Sequence, residues 1–488
     1  MRSRQTLLVA ALTAAGTALR LATIDVQGFW FDEALTSHLL ELPLGDMLSE
    51  LPDKQLTPPL YYVLAWPWVQ VFGGAELGLR SFSALAGVAT IPVAYLAGRE
   101  LASRRAGLAL AALVAFNPLL VWYSQEGRPY SLLALLGAVT LLLFARALRR
   151  RASRELWLWA AAAVLALLTH YFAAFLVVPE GLWLAWVWRP RPPAVAAGAL
   201  VAAAGAALIP LASHQTDHVS TQYIQSLSLG RRLLGVPEDF VTGFVIRWDT
   251  AAEHALAALA LAVALAGAAA ALLRTEREEG RGARLAGGLA LAAAGVPAVL
   301  AVAGIDYLSS RNVIVACVPA LLLVAAGLAA LRRAGGAGVA VLCAVGVAVT
   351  ALVASDSEYH RSNFRTPAQA LGPAREPRAL VVPPFLSPIV LDVYLDGLRP
   401  LPPEGVRVAE VDVLTPRNGR SGGARAGRPD RPRAPGPGFR LAERRYAEDY
   451  TLIRWRAAEP VLVTPESVAR AGAGAIALPN GLVQQAGG

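Results

Sequence analysis

Long apolar runs joined by short arginine-bearing links make up the first 354 residues. A helix needs about 20 mostly apolar residues to cross a bilayer. Eleven runs approach that length, at roughly 6–24, 81–98, 106–122, 130–148, 156–170, 172–188, 194–212, 251–273, 285–304, 313–331 and 339–354. The first lacks a small-residue cleavage site and is long for a signal peptide, so it is expected to remain as a span. Arginines cluster at Arg2/Arg4, Arg99/Arg104/Arg105, Arg146–Arg154, Arg189/Arg191, Arg274–Arg284 and Arg332/Arg333, each separated from the next by an even number of runs. Positive residues collect on the cytoplasmic side. The pattern therefore predicts the N-terminus inside and the C-terminus outside.

This topology puts residues 25–80, 123–130 and 213–250, and everything after about 355, on the exoplasmic side. In the first loop, Ala34–Leu42 and Leu60–Phe72 have the periodicity of helices lying on the membrane surface. Beyond 355 the pattern changes. Arg378–Pro383, Val406–Leu414 and Tyr450–Arg456 alternate like strands, Ser387–Leu395 suits a short helix, and the Gly/Pro/Arg-rich stretch 417–437 has the composition of a disordered segment. The expected architecture is a polytopic α-helical membrane domain of about 11 transmembrane helices over 1–354. A small exoplasmic α/β domain over 355–488 follows it.

Composition narrows the classes. Apolar residues are 56% of the chain and charged residues 16%, against about 25% charged in soluble domains, which excludes a string of soluble domains. The net charge is +9 and Lys54 is the only lysine. Because the arginines lie between apolar runs, they mark membrane orientation and give no reason to invoke nucleic acid. The two cysteines, Cys317 and Cys343, both sit in apolar runs, so neither a disulfide framework nor zinc-ligand spacing is present.

Polar groups near the outer ends of the runs are the candidates for chemistry. Asp32-Glu33 follows the first run, and one carboxylate there could serve as a general base while the other positions a neighbour; the competing reading makes Asp32 the N-cap of the Ala34–Leu42 helix. The turn Tyr123-Ser124-Gln125-Glu126-Gly127-Arg128-Pro129-Tyr130 carries an acid and an arginine between two Ala/Leu-rich runs. A guanidinium suits phosphate by its bidentate geometry; the alternative is an interfacial tyrosine belt with a local Glu126–Arg128 pair. Arg80, Arg247 and Arg311 lie on the same side and either snorkel to headgroups or join Arg128 at an anion site. His170-Tyr171 sits at an outward turn and either donates to that anion or caps the turn. His214 and His218, four apart, have the spacing of two metal ligands on a helix. Glu180, deep in its run, must be neutral, paired or facing a polar cavity.

These stretches carry a resemblance. Phe31-Asp32-Glu33-Ala34, Thr57-Pro58-Pro59-Leu60-Tyr61-Tyr62, the Tyr123–Tyr130 turn and Leu168-Thr169-His170-Tyr171-Phe172-Ala173 resemble the GT-C glycosyltransferases that use polyprenyl-phosphate sugars. The branch concerned is the bacterial one, similar to protein O-mannosyltransferases and the lipid A aminoarabinose transferase. The resemblance is strong over roughly 20–190 and minimal in the tail. It implies that Asp32 is the catalytic base, that Glu33 assists in positioning, and that Glu126 and Arg128 lie near the sugar and phosphate, with Tyr123, Gln125, Arg80, Arg311, His170 and Tyr171 as further donor-site candidates. Many relatives have histidine where this chain has Thr57, so the phosphate or metal role of that histidine does not carry over; metal dependence varies among relatives, so no metal is expected to be essential, although a divalent ion remains compatible.

The implied reaction moves a sugar, a mannose-like hexose, from a polyprenyl-phosphate donor in the bilayer to an acceptor hydroxyl on a protein, glycan or lipid, with inversion, at the outer face of the plasma membrane. A membrane glycan polymerase or ligase is the nearer alternative. A lipid-linked sugar transporter or flippase would need midplane charge and internal symmetry, and no repeat is visible.

Overall fold

The computed structural model describes residues 2–487 apart from 190, 219–223, 225–226, 244–249, 274–277, 362–363, 383–387, 396, 417–432, 448–449 and 472–481. The chain divides into two compact units. One comprises Met1–Ile24, Leu40–Gly73 and Leu77–Leu352; the other comprises Asp25–Leu39, Gly74–Glu76 and Val353–Gly488.

The first unit is helical. Its helices, in chain order and including α2 of the second unit, are α1 (Arg2–Ala22), α2 (Phe31–Glu41), α3 (Leu44–Lys54), α4 (Leu60–Phe72), α5 (Glu76–Leu101), α6 (Arg104–Phe116), α7 (Pro118–Ser124), α8 (Tyr130–Arg150), α9 (Ser153–Thr169) and α10 (Ala174–Trp188). They continue with α11 (Pro192–Ala207), α12 (Ile209–His218), α13 (Leu229–Thr242), α14 (Ala251–Leu273), α15 (Glu278–Val302), α16 (Cys317–Ala330) and α17 (Arg332–Ser355). Among the described residues, eight helices are long and apolar enough to cross a membrane, or nine if the bent pair α6–α7 counts as one span. The runs at 156–170 and 313–331 form shorter helices, of 17 residues for α9 and Ile314–Ala330 for the other. Helices form at Phe31–Glu41 and Leu60–Phe72, over the two stretches read as helical in the first loop. Amphipathic α3, which carries Pro52 in its interior, is an addition to the sequence reading.

The run at 106–122 is broken, with α6 and α7 meeting at 55°. Pro118 has no N–H to donate to the Val114 carbonyl four residues back, so a straight helix cannot continue. Asn117 restarts it by accepting from Leu120 N–H at 3.0 Å. The carbonyls left behind are taken by Arg20 of α1, whose Nη2 donates to Val114 O at 3.2 Å and whose Nη1 donates to Ala115 O at 2.8 Å. Its Nε donates to Ser124 Oγ at 3.0 Å. A β-carbon on Gly87 would lie 2.0 Å from that same hydroxyl, which is why α5 carries glycine there.

Small residues also let α14 and α16 touch; a β-carbon on Gly327 would lie 1.7 Å from the Gly267 carbonyl oxygen. Glu180 has partners within this bundle. Trp159 Nε1 donates to its Oε2 at 2.8 Å and Thr140 Oγ1 to its Oε1 at 3.4 Å. That satisfies a buried acid structurally.

The second unit is an α/β domain that also holds α2. Its strands are β1 (Arg378–Val381), β2 (Leu398–Pro400), β3 (Val406–Pro416), β4 (Arg440–Tyr446), β5 (Tyr450–Val463) and β6 (Leu482–Gln485), in sheet order β2-β6-β1-β3-β5-β4. Only the β1–β3 pairing is parallel among those described. Helices α18 (Arg365–Leu371), α19 (Pro388–Asp392) and α20 (Pro465–Ala471) complete it. One sheet face buries Val381, Val411, Val413, Ile453, Trp455 and Leu482. A register shift between Val408 and Glu410 keeps both ends of β3 pointing valines into that core. On the other face Asp412 is held by Arg454 Nε at 2.9 Å, with Arg378 Nη1 3.5 Å away.

The three strands and the short helix read from the sequence are present. Strands β2, β4 and β6 are short, polar or exposed, and carry little alternating signal. Most of the stretch read as disordered, 417–432, lies outside the described residues.

Candidate functional site

The turn after α7 is the best-built polar site of the helical unit. Arg128 is buried, and its Nη1 donates to Gln55 Oε1 at 2.6 Å and to Tyr62 OH at 3.3 Å. Tyr62 OH also lies 3.3 Å from Thr57 Oγ1. Gln55 caps α3 and Tyr62 sits in the first turn of α4, so the Thr57-Pro58-Pro59 link sets the spacing between two groups that grip one guanidinium. Since arginine only donates, it fixes the Gln55 carboxamide with its oxygen toward Arg128. Gln55 Nε2 is then a buried donor with no hydrogen-bond partner among the described residues.

The backbone of the turn is held as well. Ser83 of α5 donates to the Arg128 carbonyl at 3.4 Å and lies 3.2 Å from Tyr61 OH. Leu79, next to Arg80, packs where a β-carbon on Gly127 would come within 2.5 Å. Arg80 is buried and donates to the Ile24 carbonyl at 3.0 Å. Glu126 is buried in the same turn, its carbonyl accepting from Arg128 N–H at 2.7 Å.

Rings and cations gather beside Arg128. Tyr123 and Tyr130 have ring centroids 5.0 Å apart, and Tyr130 lies 5.8 Å from the His170 ring. The Arg311 guanidinium sits 5.9 Å from the Tyr130 centroid. His170 lies in the turn that ends α9, outside either flanking helix. Burial, then the positive charges of Arg128 and Arg311, push its pKa down to about 3, so the imidazole is neutral at physiological pH. Its Nδ1 accepts from Phe172 N–H at 3.3 Å, which leaves the proton on Nε2 as a donor. The loop carrying Arg311 is anchored by a partly buried ion pair in which Arg232 Nη1 and Nη2 each reach an Asp306 oxygen at 2.6 Å. Those bonds from Arg232 hold the Asp306 carboxyl below its ordinary range.

The remaining candidates divide between roles. Gln125 turns its Nε2 to the Arg20 carbonyl at 2.7 Å and to Thr23 Oγ1, so it ties the turn to α1. Tyr171 OH donates to Gln215 Oε1 at 2.7 Å, and Gln215 Nε2 donates to the Thr57 carbonyl at 3.2 Å, which supports the Thr57-Pro58-Pro59 link from behind. His214 Nε2 lies 2.6 Å from Asp53 Oδ1; the His218 side chain and Arg247 lie outside the described residues. Among the described residues no group of three or more His, Cys, Asp or Glu is placed to hold a metal.

Asp32 and Glu33 belong to the other unit. Helix α2 begins at Phe31, with Trp30 O accepting from Glu33 N–H at 3.1 Å and Ala34 N–H at 3.0 Å. Asp32 therefore sits inside the first turn and is not the N-cap of a helix starting at Ala34. Both acids lie where the positive end of the helix dipole favours a carboxylate. Glu33 is fully buried.

Gln55, Tyr62 as a partner of Arg128, Gln215 and Arg20 were not singled out from the sequence. Tyr62 stood inside a quoted motif and Arg20 was a charge near the outer end of an apolar run. Gln55 and Gln215 carried no signal.

Residues 56–214 match the family model described as dolichyl-phosphate-mannose-protein mannosyltransferase. No curated protein matches the chain by sequence. In structure it is similar to ArnT from Cupriavidus metallidurans in the apo state, with a TM-score of 0.56 at 14% identity, covering 92% of this chain and 98% of that one. The same protein bound to undecaprenyl phosphate gives 0.54 at 13% identity, covering 91% and 97%. The resemblance to GT-C glycosyltransferases is thus borne out, and the chain has their fold.

Proposed function

We propose that the protein is a multi-pass membrane glycosyltransferase that moves a mannose-like hexose from a polyprenyl-phosphate donor to an acceptor hydroxyl, with inversion, at the exoplasmic face. The observation that carries the reading is the buried Arg128 guanidinium gripped by Gln55 and Tyr62, with the Gln55 Nε2, unpartnered among the described residues, beside it. An unpartnered buried donor next to a buried cation is costly without a ligand and well suited to an anion or sugar hydroxyl. The likeness in fold to a protein bound to undecaprenyl phosphate supports a lipid phosphate as that anion.

The chemistry needs little more. Phosphate leaves with its electron pair as the bond to the anomeric carbon breaks, so the leaving group needs charge neutralisation and no proton. Arg128 would bind the phosphate oxygens, with Arg311 and Arg80 adding positive potential. Neutral His170 offers an Nε2–H donor, and Glu126 would orient sugar hydroxyls. Tyr123 and Tyr130 shape the apolar wall, and Tyr171 braces the site through Gln215. Asp32 would accept the proton of the acceptor hydroxyl as its oxygen attacks the anomeric carbon from the opposite side, and Glu33 would hold that segment in place. No essential metal is invoked. The acceptor is a protein, glycan or lipid hydroxyl.

The test is transfer from labelled undecaprenyl-phosphate mannose by purified protein supplied with membrane extract. Loss of transfer in Asp32→Asn with normal donor binding, and loss of undecaprenyl phosphate binding in Arg128→Ala, are the expected results. Wild-type rates in Asp32→Asn would remove the base assignment. Unchanged lipid binding in Arg128→Ala would remove the phosphate site.

A further inference from the structure

In the second unit, the segment leading to Asp32 is held by side chains from far along the sequence. Arg365 of α18 donates through Nη2 to Asp25 Oδ1 at 2.9 Å and to the Gln27 carbonyl at 3.2 Å, and through Nη1 to the Asp25 carbonyl at 3.1 Å. Its Nε donates to Glu76 Oε1 at 3.0 Å. Tyr394 donates to the same Glu76 oxygen at 2.6 Å and accepts from Phe29 N–H at 2.7 Å. Arg361 N–H donates to Gln27 Oε1 at 2.9 Å. Past Asp32, Ser37 Oγ donates to the Gly74 carbonyl at 2.8 Å. The backbone around Asp32 is therefore pinned on both sides, at Phe29 and at Ser37.

The tyrosine is suited to this task. Burial, and then its bond to Glu76, raise the phenol pKa far above its ordinary value, so it stays protonated and keeps donating to Glu76 while accepting from Phe29. Phe29 itself is fully buried and its ring centroid lies 6.5 Å from that of Tyr394. Asp32 follows Phe29 by three positions. Loss of the phenol would take away this acceptor of the Phe29 N–H, and with it one of the contacts that fix the entry to α2.

We infer that Tyr394 and Arg365 are positioning residues for Asp32, so that the C-terminal chain sets the orientation of the proposed base. This rests on Asp32 being the base. A base must lie within hydrogen-bond reach of the proton it takes, and small misplacement costs large factors in rate. Neither residue touches substrate in this account, so the effect should fall on kcat and leave donor binding alone.

Two measurements on the full-length protein test it. Transfer from undecaprenyl-phosphate mannose should lose about tenfold or more in kcat in Tyr394→Phe and in Arg365→Gln, with KM for the donor within about twofold and partial recovery in Arg365→Lys. In an Asp32→Asn background, adding Tyr394→Phe should change the residual rate by less than about twofold, because the tyrosine acts through the missing carboxylate. A wild-type kcat in Tyr394→Phe, alongside an inactive Asp32→Asn, overturns the positioning role and leaves the base intact. A wild-type rate in Asp32→Asn overturns the base assignment instead. Independently of activity, amide exchange in residues 26–34 should quicken in Tyr394→Phe while residues 120–130 keep their protection. Unchanged exchange there overturns the inference whatever the rates do.

Discussion

Arg20 and Arg128 are both buried arginines of the helical unit, yet their acceptors differ in kind. Arg20 spends its donors on the Gly16, Val114 and Ala115 carbonyls and on Ser124. Those carbonyls are fixed by the backbone, and two of them exist as acceptors because the helix breaks at Pro118. Nη1 of Arg128 meets two neutral side chains, an amide and a phenol, which can rotate when a stronger acceptor arrives. A phosphate oxygen forms charge-assisted bonds roughly twice as strong as neutral ones. The same residue type is thus a brace in one place and, in the proposed function, a receptor in the other.

The comparison can be broken by experiment. Arg20→Ala should have the largest effect, about 4 kcal/mol of stability, because two buried carbonyls lose their donors at about 1–3 kcal/mol each. Thermal unfolding of the detergent-solubilised protein reads this, while molecules still folded should bind undecaprenyl phosphate within about twofold of wild type. If lipid binding falls and stability holds, Arg20 is a receptor too.

Arg128→Ala should weaken undecaprenyl phosphate binding by about 100-fold, or about 3 kcal/mol, with a smaller loss of stability. Arg128→Lys should fall between, since it keeps charge and loses the fork. A melting-temperature loss as large as that of Arg20→Ala, with normal binding, would make the two arginines alike.

The third prediction concerns pH. His170 is held neutral with a pKa near 3, below the ordinary 6.5 of an unfolded chain. Between these values the unfolded chain binds the extra proton, so stability is full above about pH 6.5 and falls as pH drops. The slope contributed is at most about 1.4 kcal/mol per pH unit. His170→Asn should remove this part of the acid sensitivity between pH 6.5 and 5 in unfolding experiments. An unchanged slope would mean that the imidazole is charged or exposed. Smallest of all, Thr57→Ala should change transfer by less than about threefold, and a chelator should leave it unaltered. A strong response to either would bring back a metal role at this position.

Much of the fold was legible in the sequence, and the reason is local. Bilayer burial demands long apolar runs, so the helices announce themselves, and the alternation of β1, β3 and β5 marks a half-buried sheet. The bend between α6 and α7 falls at Asn117-Pro118, where the surrounding apolar run masks the break. The site was legible in part. Glu126, Arg128 and His170 stood out as polar groups where polarity is expensive. Gln55 did not, since a glutamine in a loop is ordinary until an arginine 73 residues away fixes its oxygen.

By itself, then, the sequence determined most of the long apolar helices and several of the side chains that had to be explained. Only the tertiary structure decided their partners: Arg20 at the broken helix, Gln55 on Arg128, and Asp25–Leu39 with a C-terminal chain whose Arg365 lies 340 residues from Asp25. Helix and strand patterns follow from neighbours three or four residues apart. Hydrogen bonds between distant side chains leave no such period, and they appear only when the chain is folded.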